Sequence, residues 1–582
     1  MADDFLIGPW LIKPRLNSVS CNGSKVQLEP KVMGVLVSLA RHAPDPVSKE
    51  DLLRDVWHDT FVGDGVLTRS IFEPRRAFGD NAKKPRVIET ISKKGYRLKL
   101  AVTSTRGVVE TVSRADTSAE PAGQCPGDRI AVFPLDNADG SSDIQHLLSG
   151  IPGSIIRGLS PLPGLTVVAG GDSTGKGGQE GVAQAFGRKF NVGTALLGRL
   201  LQRRTRLRMQ VDLIDTKTGE ELWADQYDRD FSELFLVEND VVSQVSKQLR
   251  LNSCIQERLL SKRYTENVEA YQLCLRGRHC SESRTPEGFR IGIEHLEKAI
   301  QLDPHYALAY AELATILYLP GYYGMVRAGE SFSKARSAAE KALELDDELA
   351  DAHEALATLN LFDWRWSDAV NEYKRSLEFN PNHVTSHYHY AFCLGELGRF
   401  QEAITEAAEA QIRNPLSGPA NAALGWAFWA ARQPEKALQQ ALVATELDPR
   451  SLLARVTAGL AYEQNGMYRE SIREFQQGID MNGGSMFLGF QSHAYARSGD
   501  QGGAWRNIRK LEDLSKEQYV AASHLAIAYA GVGEKESALS ALEAAYENRD
   551  SFLVFAKVIP QFDNLRSVAR FQELLRRMKF PS

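Results

Sequence analysis

Alanine recurs at Ala335, Ala369, Ala403 and Ala437, and Ser471 takes the next place at the same step of 34 residues. Two further series keep that step: the helix-ending positions Asp347, Pro381, Pro415, Pro449 and Gly483, and the small residues Ala357, Ala391, Gly425 and Gly459. A period of this length fits two short helices with their turns. Small side chains at fixed places let the two helices approach closely, and one breaker per period ends the second helix before the next unit begins. A single unit cannot bury its apolar face, so the units must stack into an α-solenoid.

This pattern resembles the tetratricopeptide repeat. An earlier unit ends at "LDP" (302–304) and is followed by an insertion around "YLPGYYGMV"; a later one is "HLAIAYAGVGEKESALSALEAAYENRD". Seven or eight units are expected in residues 265–582. Solenoids of this kind offer a surface to peptides or protein partners. The aromatic groups "WRW" (364–366) and "WAFW" (426–429) are expected to pack repeats together, with a minority lining the groove.

The rest of the chain is different in kind. Its 582 residues allow several domains. The formal net charge is −5, yet residues 1–100 hold 17 Lys and Arg against 12 Asp and Glu, which leaves −10 for the remainder. A basic segment on an acidic chain suggests a nucleic-acid-binding module joined to something else. Within it, short β-patterned pieces ("FLIGPWLI", "SVSC", "KVQL") come first, with Asn22–Gly23 as a hairpin signal. Three helical patterns follow: one with Pro30 near its start, one opened by Ser48 with Asp51 three residues on, and one at residues 66–80 with Asp64 as expected N-cap. The β-rich runs "RVIETI" and "YRLKL" then flank the basic tip "SKKG".

The motifs "LEPKVMGVLVSLA", "VSKEDLLRDVW", "VLTRSIFEPRRAFGD" and "PRVIETISKKGYRL", in this order and spacing, resemble the OmpR/ToxR-type winged helix-turn-helix, especially its CadC-like and HilA-like branch. The resemblance covers nearly all of residues 5–100. It implies that the third helix enters the major groove of double-stranded promoter DNA and that the hairpin wing touches the backbone or minor groove. Taking 100° per residue from Leu67, the face opposite the core carries Arg69, Phe72, Glu73 and Arg76, with Thr68 beside them. Arginine can fork onto guanine and an apolar ring can meet a thymine methyl. Arg86, Lys93, Lys94 and Arg97 of the wing suit phosphates.

Pro74 departs from the pattern, which normally has leucine there. It sits on the apolar face with Leu67, Ile71 and Phe78, removes a helical bond to Ser70, and is expected to kink the helix. Two readings follow: a kinked but working DNA reader, or a repeat scaffold for protein interaction with a weakened DNA-binding domain.

Residues 101–127 are small, polar and aperiodic, and are read as a linker. Residues 128–252 alternate strand and helix patterns and end in antiparallel strands with turns at "RRTR" and "TKTG". Through "IAVFPLDN", "GLTVV", "VDLIDTKTGEELWADQYDRD" and "ELFLVENDVV" they resemble an α/β TolB-like domain, which implies no ligand. In the loop 170–178, Gly170, Gly175 and Lys176 have P-loop spacing, but Gly177 stands where magnesium needs a hydroxyl. The histidines of "HYHY" (387–390) lie two apart and so face different ways.

No catalytic set, cofactor motif or metal-ligand cluster stands out. The six cysteines form no CxxC pair, and no apolar run reaches the ~18–20 residues of a membrane span. The expectation is a multidomain α+β and all-α chain, a one-component transcriptional regulator of bacterial type, soluble and cytoplasmic. Its middle domain and repeats would receive a protein or small-molecule signal. No phosphorelay-type receiver is resembled, and RNA polymerase is a partner only as far as the family implies.

Overall fold

The computed structural model describes residues 5–104 and 129–580 apart from short breaks, the longest at 57–63, 138–143, 172–177 and 250–264. The chain forms two compact units, Met1–Ala122 and Gly123–Ser582.

In the first unit, β1 (Phe5–Ile7), β2 (Trp10–Lys13), β3 (Ser18–Cys21) and β4 (Ser24–Gln27) form an antiparallel meander. Cys21 pairs with Ser24; Asn22 and Gly23 between them lie outside the described residues. Three helices follow: α1 (Pro30–His42), α2 (Lys49–Val56) and α3 (Asp64–Ala77). Pro30 takes the first turn of α1, where its missing N–H costs nothing. At α2, Ser48 Oγ accepts from the Asp51 amide at 3.0 Å and donates to the Asp51 carboxylate at 2.7 Å. Asp64 is the first residue of α3 rather than the residue before it. The wing is β5 (Ile88–Ile91) against β6 (Gly95–Leu98).

Strand β7 (Val102–Ser104) then pairs antiparallel with β1, Phe5 opposite Ser104. These three residues were expected in a linker. The edge of the meander satisfies their backbone groups, a contact that local composition does not encode.

The second unit opens with a sheet of order β10-β8-β11-β12-β13. Its strands are β8 (Arg129–Val132), β9 (Asp136–Asn137, beside β11), β10 (Thr166–Ala169), β11 (Thr194–Arg203), β12 (Arg206–Asp215) and β13 (Glu221–Asp230). Strand β8 runs parallel to both β10 and β11, and β11–β12–β13 is an antiparallel meander. Helices α4 (Gln145–Leu159), α5 (Gly178–Phe190) and α6 (Leu234–Gln248) accompany it.

Eight helical hairpins follow: α7–α8 (Val268–Glu282, Pro286–Leu302), α9–α10 (Ala307–Tyr322, Ala328–Leu345), α11–α12 (Ala350–Phe362, Trp366–Phe379), α13–α14 (Val384–Glu396, Phe400–Arg413), α15–α16 (Gly418–Ala430, Pro434–Leu447), α17–α18 (Leu452–Gln464, Tyr468–Asp480), α19–α20 (Gly484–Arg497, Gln501–Glu517) and α21–α22 (Ala522–Val532, Lys535–Glu547). Helices α10, α12, α14 and α16 each stop two residues before the predicted breaker. The periodic residues Ala335, Ala369, Ala403, Ala437 and Ser471 are fully buried. A Cβ at Gly459 would lie 2.3 Å from the Phe475 ring, so that contact needs glycine.

The sheet docks on the repeats through polar groups. Arg157 of α4 lies 3.5 Å from Glu312 and 3.3 Å from Asp351; Arg278 also reaches Glu312, and His383 reaches Asp351 at 3.5 Å. Burial alone would raise the Asp351 carboxyl, but Arg157 and His383 hold it below the usual carboxylate range. Asn382 donates to the carbonyls of Ser160 and Leu165 and accepts from the Val167 amide.

Candidate nucleic-acid interface and repeat groove

Helix α3 sorts its residues by face. Ser70, Ile71, Pro74, Arg75 and Phe78 are buried, while Phe72 is 62% exposed. Lys94 at the wing tip is also exposed, and Glu73 is half-buried. Arg97 is held by Glu89 across the hairpin at 2.7 Å, which partly neutralises it. Thr68, Arg69 and Arg76 lie on α3, but their side chains, like Arg86 and Lys93 altogether, lie outside the described residues.

Sequence reading passed over Arg75, which ties reader to wing. Its guanidinium donates to the Ile88 carbonyl (Nη2 at 2.9 Å, Nε at 3.3 Å) and to Thr90 Oγ1 at 2.9 Å. Asp80 accepts from the amides of Val87 and Ile88, so Arg75 and Asp80 both hold the start of β5. The wing is pinned again where Val47 and Tyr96 exchange backbone bonds of 2.8 and 3.0 Å. Gly95 there has φ +116°, and a Cβ would sit 1.9 Å from the Val47 carbonyl oxygen, so only glycine fits.

Pro74 does not end its helix. Helix α3 runs on to Ala77, and the Pro74 carbonyl accepts from the Phe78 amide at 2.9 Å. The ring takes the apolar place that the pattern reserves for leucine.

The repeats present an unexpected arrangement. After α22 the chain folds back as two 3-10 turns, Ser551–Phe555 and Pro560–Leu565, and a last helix α23 (Ala569–Arg577). This strap crosses the first helices of successive hairpins. Ser551 donates to the Gly321 carbonyl, Phe555 meets Trp426 at 5.7 Å, Gln561 donates to Glu463, and Phe552 packs on Phe490 and His524. Members of the "WRW" and "WAFW" groups meet both the strap and other repeats: Trp366 stacks on Phe580 at 4.3 Å and donates to the Met578 carbonyl, while Trp364 stacks on Tyr546 of α22 and Trp426 lies 4.8 Å from Phe392 of α13. The first helices α13 and α15 are consequently buried nearly all round. The apolar run "SFLVFAKVIPQF" beyond the last repeat was the available signal for this strap. The two histidines of "HYHY" do diverge, His387 to Glu406 at 2.7 Å and His389 to Glu354 at 2.6 Å.

In the loop 170–178 the described glycines have packing reasons. A Cβ at Gly170 would strike the Phe133 ring at 2.6 Å, and one at Gly171 would strike Leu416 at 2.4 Å. Gly175, Lys176 and Gly177 lie outside the described residues.

Residues 23–98 match the family "Transcriptional regulatory protein, C terminal". The N-terminal unit carries a winged helix of the OmpR/PhoB type. Residues 372–405 match "Tetratricopeptide repeat", so the solenoid belongs to that class. Both matched segments lie outside the middle sheet, whose TolB-like character stays a resemblance.

Among curated proteins, the chain is 28% identical over 244 residues to "Putative adenylate cyclase 3" of Rhizobium meliloti, covering 41% of each. Over 97 residues it is 37% identical to the transcriptional activator CadC of Escherichia coli, covering 16% of this chain and 19% of CadC. It is 24% identical over 409 residues to the transcriptional regulator HilA of Salmonella typhimurium, covering 69% of each. The chain thus spans under half the length of the first two. The solved DNA-binding domain of E. coli CadC is 33% identical, with a TM-score of 0.17, over 18% of this chain and 96% of that one. CadC and HilA are transcriptional regulators by name. Within the winged helix of this chain, Thr68, Arg69, Phe72, Glu73 and Arg76 are residues of α3, and Phe72 is the one seen to be exposed. Among the described residues no helix is long and apolar enough to cross a membrane.

Proposed function

We propose that the protein is a one-component transcriptional regulator acting in the cytoplasm, whose winged helix binds promoter DNA and whose middle domain and repeats receive a signal. The observation that carries this reading is α3 itself: a buried face with Ile71 and Pro74, an arginine fastening it to the wing, and a Phe72 that is 62% exposed; helical periodicity places Arg69, Glu73 and Arg76 on the side of Phe72. Phe72 would meet a thymine methyl and Arg69 or Arg76 a guanine edge. Thr68 would assist at the groove. Arg86, Lys93, Lys94 and Arg97 would take phosphates, with Arg97 contributing less because Glu89 already holds it.

The fit of Pro74 into α3 supports a working reader over a decayed one. RNA polymerase and a protein partner for the repeats belong to this reading as family expectations. A partner at the first helices must contend with residues 551–580, which already lie there. No catalysis is part of the reading, and cyclic AMP formed from ATP by the full chain would overturn that.

The test is fluorescence anisotropy of the full chain on its own upstream DNA and on unrelated DNA, at two salt concentrations. Phe72→Ala is expected to lower affinity for the preferred sequence by about 5-fold or more, since an apolar contact with a thymine methyl falls at the low end of the roughly 1–3 kcal/mol of a good base contact, and to leave the thermal midpoint unchanged. Lys94→Ala should weaken both DNAs alike and reduce the salt slope by roughly one. Equal affinity for both DNAs in the wild type would refute the regulator reading.

A further inference from the structure

The start of the strap, residues 551–559, enters the repeats as a plug. Ser551 Oγ donates to the Gly321 carbonyl of α9 at 2.8 Å, and Phe552 packs on Phe490 of α19 and His524 of α21. Phe555 lies 5.7 Å from Trp426 of α15, and Arg432 beyond that helix donates to the Val558 carbonyl at 3.4 Å. One short segment therefore touches hairpins from the second to the eighth. Leu553, Val554, Ala556 and Ile559 are buried within it. Its grip rests on aromatic and aliphatic side chains, which any segment of the same chemistry can offer.

Two observations mark the plug as a replaceable occupant. The first is that polar groups around it go unserved. Glu396, which lines the same small cavity as Phe555, is buried with no hydrogen-bond partner for its Oε2. Trp429 Nε1 of α15 and Gln561 Oε1 of the strap are buried without partners too. Each such group costs stability, and the cost is relieved when the site opens to water or takes an occupant with the missing donor or acceptor. The second is the clasp that shuts the site. Trp364, in the turn between α11 and α12, stacks on Tyr546 of α22 at 4.7 Å, with Arg549 4.2 Å from the Trp364 ring and Arg577 4.0 Å from the Tyr546 ring. Both arginines are exposed. With Trp366 against Phe580, this clasp joins the third hairpin to the end of the eighth and to the chain end.

We propose that residues 551–559 are a self-ligand that keeps the repeat groove shut, and that a partner protein engages the groove by displacing them. The displacing segment has the chemistry of the plug: two aromatic side chains three residues apart, set among aliphatic ones. Its first ring takes the place of Phe552 between Phe490 and His524, and its second takes the place of Phe555 beside Trp426. A donor on the same segment would serve Glu396. The inference rests on the regulator reading only for what the partner controls. Its test contains no DNA, so the two can fail separately.

The probe is a labelled synthetic peptide of residues 549–560, titrated by fluorescence anisotropy into the full chain. The chain is either wild type or carries Phe552→Ala and Phe555→Ala together, which loosen the plug and leave the groove's own residues untouched. The expected result is saturable binding to the double variant, about 30-fold or more tighter than to wild type, the scale of losing anchoring aromatic side chains. A peptide with the same two alanines should bind neither chain. Hydrogen exchange on the wild type is the second measurement and needs no variant. The hydrogen-bonded amides of Leu553, Ala556 and Val558 should exchange through a local opening that leaves α15 and α17 protected. A double variant that still unfolds cooperatively but binds no peptide would overturn the proposal. So would plug amides that exchange only together with α15 and α17. A dimer of the wild type, seen by light scattering, in which two copies trade plugs would also overturn it, because the occupant would then be a second copy.

Discussion

Arg75 and Arg76 are neighbours with different destinations. Helical periodicity puts Arg76 on the outer face with Arg69, and says nothing of how far the guanidinium of Arg75 can reach. In the fold that side chain is buried and spans from α3 to β5. Periodicity found Phe72 because an exposed face is a local property. It did not find Arg75 because the acceptors, Ile88 and Thr90, come from a strand more than ten residues away. Arg75→Met keeps the apolar stem and removes the donors. It should cost about 1.5–3 kcal/mol, the range for a hydrogen bond to a charged group, seen as an earlier urea midpoint for the winged helix. A loss below about 0.5 kcal/mol would mean that the wing is held by the Val47–Tyr96 backbone bonds alone.

Helix α3 as an element carries a proline that propensity forbids. An interior proline costs about 3 kcal/mol, yet the helix spans Asp64–Ala77. Packing overrides propensity here, because the ring is buried on the same face as Ile71 and Phe78. Pro74→Leu restores the N–H toward Ser70 and adds a larger side chain to a filled place. Overpacking of about 1–3 kcal/mol offsets part or all of the gain, so a net stabilisation of about 0–2 kcal/mol is expected by chemical denaturation, with the DNA sequence preference retained. Preference that appears only in the leucine variant would show that the natural helix does not read DNA. The same override explains β7. Nothing in "VTS" demands a strand; the open edge of β1 supplies the partner.

At the scale of the whole molecule, the second unit is held together by buried polar contacts between sheet and repeats, and one of them sets a pH dependence. Glu238 of α6 accepts a hydrogen bond from Tyr271 of α7, and burial pushes its carboxyl up to about 8 from an ordinary 4.5. Between those values the folded state binds more protons than the unfolded state. Stability from this group is therefore full below pH 4.5 and is lost as pH rises through about 8. Glu238→Gln should flatten the fall in thermal midpoint between pH 5 and 8 and raise the midpoint at pH 8.5. An unchanged slope would remove Glu238 as the cause. The strap is the other feature of this scale. Its aromatic and aliphatic residues close the face that a solenoid of this class was expected to keep open.

The sequence alone determined the repeats, their 34-residue register and small-residue contacts, the winged-helix order and the separation of exposed Phe72 from buried Ile71. Each depends on periodicity or on turn and cap chemistry, which act over a few residues. Tertiary structure alone decided that Arg75 clamps the wing, that β7 completes the first sheet, that Pro74 fits, and that residues 551–580 lie across the first helices of the repeats. Those outcomes depend on which groups the fold brings together from distant parts of the chain, and such contacts leave no period to read.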